Sequence, residues 1–214
     1  MIFENIIVIP YRNRKKQFDF FLKNTIPLIE KHLPKTKVVV VEQNSGKLFN
    51  RGCLLNIGFT EYKNKTKYFL THDIDINPTE LFLEKYKSDV PPNTVMGLYT
   101  SVCNTLGGII KISSKNIFKV NGFPNDIWGW GAEDSALQNR TKFYNINKTT
   151  FLVSDKSNKS QYLRRFDNVN DRDKKNHMTN LRRYHTGFGK KTREEQLNLM
   201  LDSGLNNIQY KITK

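Results

Sequence analysis

The sequence predicts an α/β protein, a mostly parallel sheet flanked by helices, with an irregular C-terminal segment. Three observations predict it. Apolar runs of strand length alternate with helical hydrophobic periodicity through the first eighty-odd residues. Those runs are continuously apolar, as strands covered on both faces are. Beyond Asp155 the periodicity stops, and it returns only near Thr192.

The elements follow in order. "ENIIVIP" is a buried strand closed by Pro10. In "RKKQFDFFLKNTIPLIEKHL", Phe18, Leu22, Ile26, Ile29 and Leu33 recur at helical spacing, and Pro27 should kink or interrupt the helix. "TKVVVVEQ" is a second buried strand. "FNRGCLLNIGFTEY" repeats the helical pattern through Leu54, Leu55, Gly58, Phe59 and Tyr62, and "KYFLTHDID" is a third strand. Asn77 and Pro78 suit an N-cap and first-turn proline for "TELFLEKY". This alternation predicts a doubly wound parallel sheet with helices on both faces. "TVMGLY", "GGIIKIS" and "TTFLV" read as further strands, "SKNIFKV" as a short helix, and "AEDSALQNRTKFY" as a helix opening with acids. In "TREEQLNLMLDSGL", Thr192 with Glu195 reads as a capping box and Gly204 as a stop; "NNIQYKIT" alternates like a closing strand.

A chain of 214 residues fits one domain. Its net charge of +15, from 35 Lys+Arg against 20 Asp+Glu, favours polyanions, anionic surfaces or phosphorylated small molecules. Two cysteines, Cys53 and Cys103, do not make a disulfide framework and read as free thiols. The N-terminal apolar run is too short for a signal sequence or a membrane span, so a cytoplasmic or otherwise soluble, non-secreted protein is expected.

Four stretches carry chemistry. Asp73 and Asp75, two apart at the end of the third strand, should share a face at the carboxyl edge of the sheet, where ligands bind in open α/β folds. Paired carboxylates there suit Mg²⁺ or Mn²⁺ bridging to phosphate; the plain alternative is two solvated acids. "PYRNR" closes the first strand at the same edge, and Arg12 and Arg14 suit a diphosphate or, equally, a basic helix start. "FNRG" offers the Phe49 ring and Arg51, or ordinary capping by Asn50. "NGFPNDIWGWGAED" holds both tryptophans, Trp128 and Trp130, among flexible glycines. Their flat apolar rings and N–H groups fit the faces of sugars. Glu133 and Asp134 follow at a helix start, where one would take a proton and the other hold a hydroxyl. The alternative is a buried tryptophan pair with acids complementing the helix dipole.

Seven blocks, "VIPYRNR", "FNRGCLLNIGF", "HDIDINP", "LGGI", "NGFPNDIWGWGAED", "RDKKN" and "LDSGLNNIQYKI", occur in the order and spacing of the β1,4-galactosyltransferase family, which the chain resembles over roughly Ile7 to Ile212. The tryptophan block with its acids is specific; an isolated Asp-x-Asp is not. The resemblance implies a GT-A type Rossmann-like fold and metal-dependent, inverting transfer of galactose from a UDP-sugar to a carbohydrate acceptor. It places Pro10, Tyr11, Arg12 and Arg14 at the uridine and diphosphate, with Phe49 and Arg51 nearby. Asp73, Ile74 and Gly108 would line the donor, and Trp130 would lie against both sugars. Glu133 would hold the donor sugar and Asp134 would be the catalytic base. Asp75 would bind Mn²⁺ or Mg²⁺. The implied division is residues 1–90 as the nucleotide-sugar half, 91–154 as the acceptor and catalytic half, 155–191 as a mobile basic loop, and 192–214 as the closing helix and strand.

The chain departs from the family pattern in places. Where further metal ligands of Met/His or His/His type stand before "RDKKN", this sequence has Asp167 and Asn170, whose oxygens also suit a hard cation. His177 and His185 are spare candidates or plain surface histidines. Ser135 and Ala136 replace acids after the base. Thr105 stands where an aromatic limits the donor's 2-substituent, which leaves UDP-GalNAc beside UDP-Gal. Nucleic acid is not expected as a partner, although the charge excess alone would suit a non-catalytic basic module for nucleic acid or anionic glycans on the same fold.

Overall fold

A computed structural model describes residues 2–44, 46–100, 105–153, 161–165 and 173–213. Cys103, Asp167 and Asn170, and part of the predicted basic loop, lie outside the described residues.

Six strands form the main sheet: β1 (Phe3–Tyr11), β2 (Thr36–Glu42), β3 (Thr66–Thr71), β5 (Thr94–Thr100), β6 (Ile109–Ser113) and β7 (Asn147–Val153). Their order is β2-β1-β3-β6-β5-β7. The sheet is parallel except for β6, which runs against both neighbours. A small antiparallel pair, β4 (Ile76–Pro78) with β8 (Leu163–Arg165), stands beside it.

Helices cover both faces because the apolar runs feed both. Ile7 and Ile9 pack with Phe21, Ile29, Phe82, Leu83 and Tyr86. Phe21 opens the turn after α1 (Lys15–Phe20), Ile29 lies in the continuation α2 (Ile26–His32), and the other three belong to α4 (Glu80–Lys87). Ile6 and Val8, pointing the other way, pack with Leu55, Phe59, Ile117 and Leu137. Those belong to α3 (Arg51–Glu61), α5 (Ser114–Lys119) and α6 (Glu133–Phe143). Each such side chain contributes about 1.5–3 kcal/mol by leaving water.

Several expectations are met locally. Pro27 sits at the start of α2, and a π-helical turn, Phe21–Thr25, separates α1 from α2. Asn50 caps α3 by accepting a hydrogen bond from the Cys53 N–H (2.9 Å), and the described cysteine, Cys53, is a free thiol. Thr192 and Glu195 form the capping box of α8 (Arg193–Leu201).

Others are corrected. β2 is an edge strand, half-buried along its length, because among the described residues only β1 pairs with it. β1 runs past Pro10 to Tyr11, paired with β2. On its other side the ladder with β3 stops at Val8 with Thr71. The last bond there is His72 N–H to the Val8 carbonyl, and the next would need an N–H from Pro10, which has none. β3 therefore ends before His72, and Asp73 and Asp75 lie in a turn closed by Ile76 N–H on the Asp73 carbonyl (3.1 Å), not on a strand. Asn77 is no cap: it lies in β4 with Thr25 Oγ1 donating to its side chain, and Thr79 precedes α4. Part of the segment expected to be irregular is helical, with α7 at His177–Leu181 and a π-turn at Arg182–Thr186.

The closing strand does not form. Gly204 is extended (φ 165°), and a 3₁₀ turn, Leu205–Asn207, follows. Tyr210 and Ile212 alternate with polar residues yet remain 37% and 59% exposed, and among the described residues this segment pairs with no sheet edge. Instead the "LDSGLNN" stretch staples the "NGFPND" stretch. Buried Arg140 donates to the carbonyls of Asn121 (2.7 Å), Gly122 (3.0 Å) and Ser203 (2.5 Å). Asn125 donates to the Gly204 carbonyl and receives from Asn50 through its own carbonyl.

Helix α3 lies so close to β1 that a Cβ on Gly58 would fall 2.4 Å from Val8 Cγ1. Gly58→Ala is expected to lower unfolding stability by about 2 kcal/mol through overpacking. Gly189→Ala, where nothing lies within 4 Å, should change it by less than about 0.5 kcal/mol. Urea unfolding of the two variants beside the parent checks both values.

Candidate active site

The site lies at the carboxyl edge of β1 and β3. Because β6 is antiparallel to β3, pairing Thr71 with Ile110, the loop entering β6 arrives at the same edge. Four segments therefore meet: the turn after β3, the start of α3, the loop before β6 and the start of α6.

Arg51 joins them. Its Nε donates to Asp73 Oδ1 (2.7 Å), its Nη2 donates to the Gly108 carbonyl (3.3 Å), and its Nη1 lies 3.7 Å from Glu133 Oε1. The Arg51 and Glu133 side chains are only 12% and 13% exposed. Burial opposes the Arg51 charge, but Asp73, Glu133 and Asp134 outweigh it and hold the guanidinium above its ordinary pKa. Glu133 is pushed up to about 7, first by burial and then by Asp134, against the pull of Arg51. Its Oε2 is buried without a hydrogen bond among the described residues.

Asp134 is held differently. Its Oδ2 accepts from Thr105 Oγ1 (2.7 Å) and its Oδ1 from the Ser135 N–H (2.8 Å). Both acids stand in the first turn of α6, where the helix dipole favours negative charge.

The turn carrying Asp73, Ile74 and Asp75 is pinned from below by His72. This imidazole is fully buried between the rings of Phe21 (5.6 Å) and Tyr86 (6.1 Å). Burial lowers its pKa to about 4, so it is neutral, and the 3.0 Å contact of Nδ1 with the Asp73 carbonyl requires the ring proton on Nδ1. Ile74 points into the core, 5% exposed, so it can offer a ligand only its backbone.

Beside this cluster opens a cleft of about 700 Å³ lined by Arg12, Asn13, Gly46, Lys47, Leu48 and Trp128. Arg12 donates to the Lys47 carbonyl and lies 5.9 Å from the centre of the Phe49 ring. Lys47 sits 5.1 Å over Trp128. Pro10 is buried, Tyr11 packs on Phe18 (5.0 Å), and Arg14 stands half-buried just before α1.

The tryptophan loop separates its two rings. Trp128 faces the cleft. Trp130 is 38% exposed and packs on His177 (4.9 Å). Gly129 N–H bonds the Phe49 carbonyl (2.9 Å) and Trp130 N–H the Asp173 carbonyl (2.7 Å), which ties the loop to α3 and to the segment before α7. Gly131 has φ 92° and a Cβ there would strike the His177 ring at 2.5 Å. Ala132 adopts φ 82°, a strained left-handed conformation that turns the chain into α6. His177 is thus a packing partner of Trp130 rather than a plain surface histidine.

The structure brings together Arg51, Asp73, Gly108, Glu133 and Asp134, and sets Arg12 in the adjoining cleft with the Phe49 ring near its guanidinium. Sequence reasoning missed the pinning by His72, the partnership of Thr105 with Asp134, and the cleft position of Trp128. A histidine ending a buried apolar run was the available signal for the first. The other two depend on tertiary contacts. Among the described residues no group of three His, Cys, Asp or Glu side chains is placed to hold a metal. Asp75 is half-buried on the turn.

A nucleotide-binding type of sheet, with acids and an arginine gathered at its carboxyl edge, is the architecture of a GT-A class protein. Residues 3–84 match the N-terminal region of glycosyl transferase group 7, and residues 94–177 match the N-terminal domain of galactosyltransferase. The chain belongs to the β1,4-galactosyltransferase family. It is 32% identical to β-1,4-galactosyltransferase 4 of Rattus norvegicus over 147 residues, 65% of this chain and 43% of that one. With β-1,4-galactosyltransferase 1 of Homo sapiens it shares 28% over 216 residues, 96% of this chain and 50% of the relative. The chain thus spans about half the length of the curated relatives it matches. A Drosophila β1,4-galactosyltransferase 7 variant, solved with manganese, UDP-Gal and xylobiose, has the same fold, with TM-score 0.74 and 20% identity over all of this chain and 87% of that one. No helix among the described residues is long and apolar enough to cross a membrane.

The raised pKa of Glu133 has a consequence for stability. Between its unfolded value, near 4.5, and about 7, the folded protein holds a proton there that the unfolded chain has released. Stability from this group is present below pH 4.5 and is lost as pH rises through 7. Glu133→Gln is expected to remove that loss, on the order of 2–3 kcal/mol. Urea unfolding of parent and variant at pH 5 and pH 8 measures the difference.

Proposed function

We propose that this protein transfers galactose from UDP-Gal to a hydroxyl of a sugar acceptor, with inversion at the anomeric carbon. The observation that carries the reading is the meeting of Arg51, Asp73 and Glu133, with Asp134 adjoining, beside a basic, aromatic-lined cleft. Arg12 and Arg14 offer planar cations for a diphosphate, and Phe49 and Trp128 offer flat surfaces for base and sugar. Glu133, half-protonated near pH 7, can both donate to and accept from a donor hydroxyl. Asp134 takes the proton of the acceptor hydroxyl as that oxygen bonds to C1 and the bond from C1 to the diphosphate oxygen breaks. Both reactants are held at one edge of a rigid sheet, which lowers the entropic barrier.

The donor chemistry on the turn after β3 is oxygen only, which fits Mn²⁺ or Mg²⁺. Asp75 would hold the cation, with Asp167 and Asn170 as the further ligands the resemblance implies. When bound, the cation neutralises charge on the departing diphosphate. UDP-GalNAc is a second donor on this reading, because Thr105 fills less space than an aromatic ring would. Xylose, the unit of the xylobiose in the Drosophila complex, N-acetylglucosamine and glucose are the acceptors to compare.

The test is a screen of UDP-Gal, UDP-GalNAc, UDP-Glc and UDP-GlcNAc against these acceptors, with Mn²⁺ or with EDTA. Metal-dependent galactoside formation is expected, and absence of any nucleotide-sugar turnover overturns the reading. Asp134→Asn should lower kcat by at least about 1,000-fold while UDP binding by calorimetry persists; full activity would remove Asp134 as the base. Asp75→Asn should weaken Mn²⁺ and UDP binding together, by about tenfold or more; unchanged Mn²⁺-dependent UDP affinity would remove it as a ligand.

A further inference from the structure

The loop entering β6 does more than line the site. Thr105 donates to Asp134 Oδ2 at 2.7 Å, and a Cβ on Gly107 would lie 2.5 Å from that same oxygen and 3.4 Å from Asp134 Cγ. The loop backbone is therefore pressed against the carboxylate, in a space only glycine leaves. The loop is itself fixed. Leu106 is fully buried in the core, and the Gly108 carbonyl accepts from both Arg51 Nη2 and Thr71 Oγ1 (3.3 Å each). From the opposite side the Ser135 N–H holds Asp134 Oδ1 at 2.8 Å.

We propose that Thr105 is a positioning residue: its hydroxyl, carried on an immobilised loop, fixes the plane and rotamer of the Asp134 carboxylate toward the acceptor hydroxyl. This rests on Asp134 being the base. Each carboxylate oxygen has two lone pairs, so a hydrogen bond from Thr105 and one from Ser135 leave a lone pair on each oxygen for the incoming proton. A carboxylate free to rotate about its side-chain bonds would spend less time in a reactive geometry, and a small misplacement of a catalytic group costs up to about 100-fold in rate. The role is separate from the space Thr105 leaves for the donor, because valine keeps the volume and loses the hydroxyl.

The experiment compares Thr105→Val, Thr105→Ser and Asp134→Asn with the parent, using UDP-Gal and the best acceptor. Thr105→Val is expected to lower kcat by roughly 10- to 100-fold, with KM for UDP-Gal and UDP affinity by calorimetry within about threefold. Thr105→Ser should recover most of the lost kcat, which a purely packing role would not predict. If Thr105→Val does not fold, Thr105→Ala, judged against Thr105→Ser in the same assay, decides the question. Thr105→Val with parental kcat, or Thr105→Ser as slow as Thr105→Val, overturns the proposal. Should Asp134→Asn be inactive while Thr105→Val is fully active, only the role of Thr105 falls. If Asp134→Asn is itself active, the base assignment falls and takes the proposal with it.

Discussion

Arg51 is the charge around which the site is organised. Asp73 and Glu133 come from segments sixty residues apart and are both largely withdrawn from water. Unpaired, each would meet desolvation and repulsion from the other and from Asp134. A guanidinium is the side chain whose planar donors reach a carboxylate, a second carboxylate and a backbone carbonyl at once. Its place in α3 is otherwise unfavourable, since the first turn of a helix disfavours a cation. The acids, not the helix, keep Arg51 where it is. Removing it would strand two carboxylates, a loss of the 3–5 kcal/mol order typical of broken buried pairs.

The sheet makes that meeting possible. Pro10 ends the β1–β3 ladder on one side, so the chain after β3 turns away instead of continuing in register, and Asp73 and Asp75 fall in the turn. The reversal of β6 returns the Thr105–Gly108 loop to the same edge. The start of α6 is then brought in by a left-handed passage through Gly129, Gly131 and Ala132. Such backbone persists only where its surroundings over-determine it. Here Arg140, Asn125, Ser203 and the Asp126–Tyr184 pair do so, fixing residues 121–126 to the segment after α8 and to the π-turn Arg182–Thr186.

Much of this was legible in the sequence because the signals were local. Continuous apolar runs gave β1 and β3, helical periodicity gave the helices between them, and Thr192 with Glu195 marked the start of α8. The rest was set by tertiary context. "TKVVVVEQ" reads as buried, but burial of a strand depends on how many neighbours it acquires, and β2 acquires one. "NNIQYKIT" alternates as a strand does, but among the described residues no sheet edge receives it. The acids of "HDID" were found by motif while their conformation was misjudged, because the missing N–H of Pro10 acts sixty residues away in sequence. Asp134 was singled out by its motif; its hydroxyl partner in Thr105 was not, since nothing between residues 105 and 134 encodes their approach.

Glu133 and Asp134 are adjacent in sequence, yet their surroundings divide them. Glu133 lies against Arg51 with one oxygen buried and unbonded among the described residues, and burial holds its proton up to about pH 7. Asp134 instead receives a hydroxyl and a backbone N–H on its two oxygens. Separation of the environments of two neighbouring carboxyl groups is how one fold assigns distinct acid and base roles. The difference in surroundings follows from position on the helix: the first residue of α6 is directed under the Arg51 side chain, and the second, about 100° around the helix, meets the loop entering β6. A shift of one residue in the start of α6 would set Asp134 under Arg51 with Ser135 against the loop, or Ala132 under Arg51 with Glu133 against the loop, so the left-handed turn at Ala132, which sets that start, fixes the surroundings of each acid.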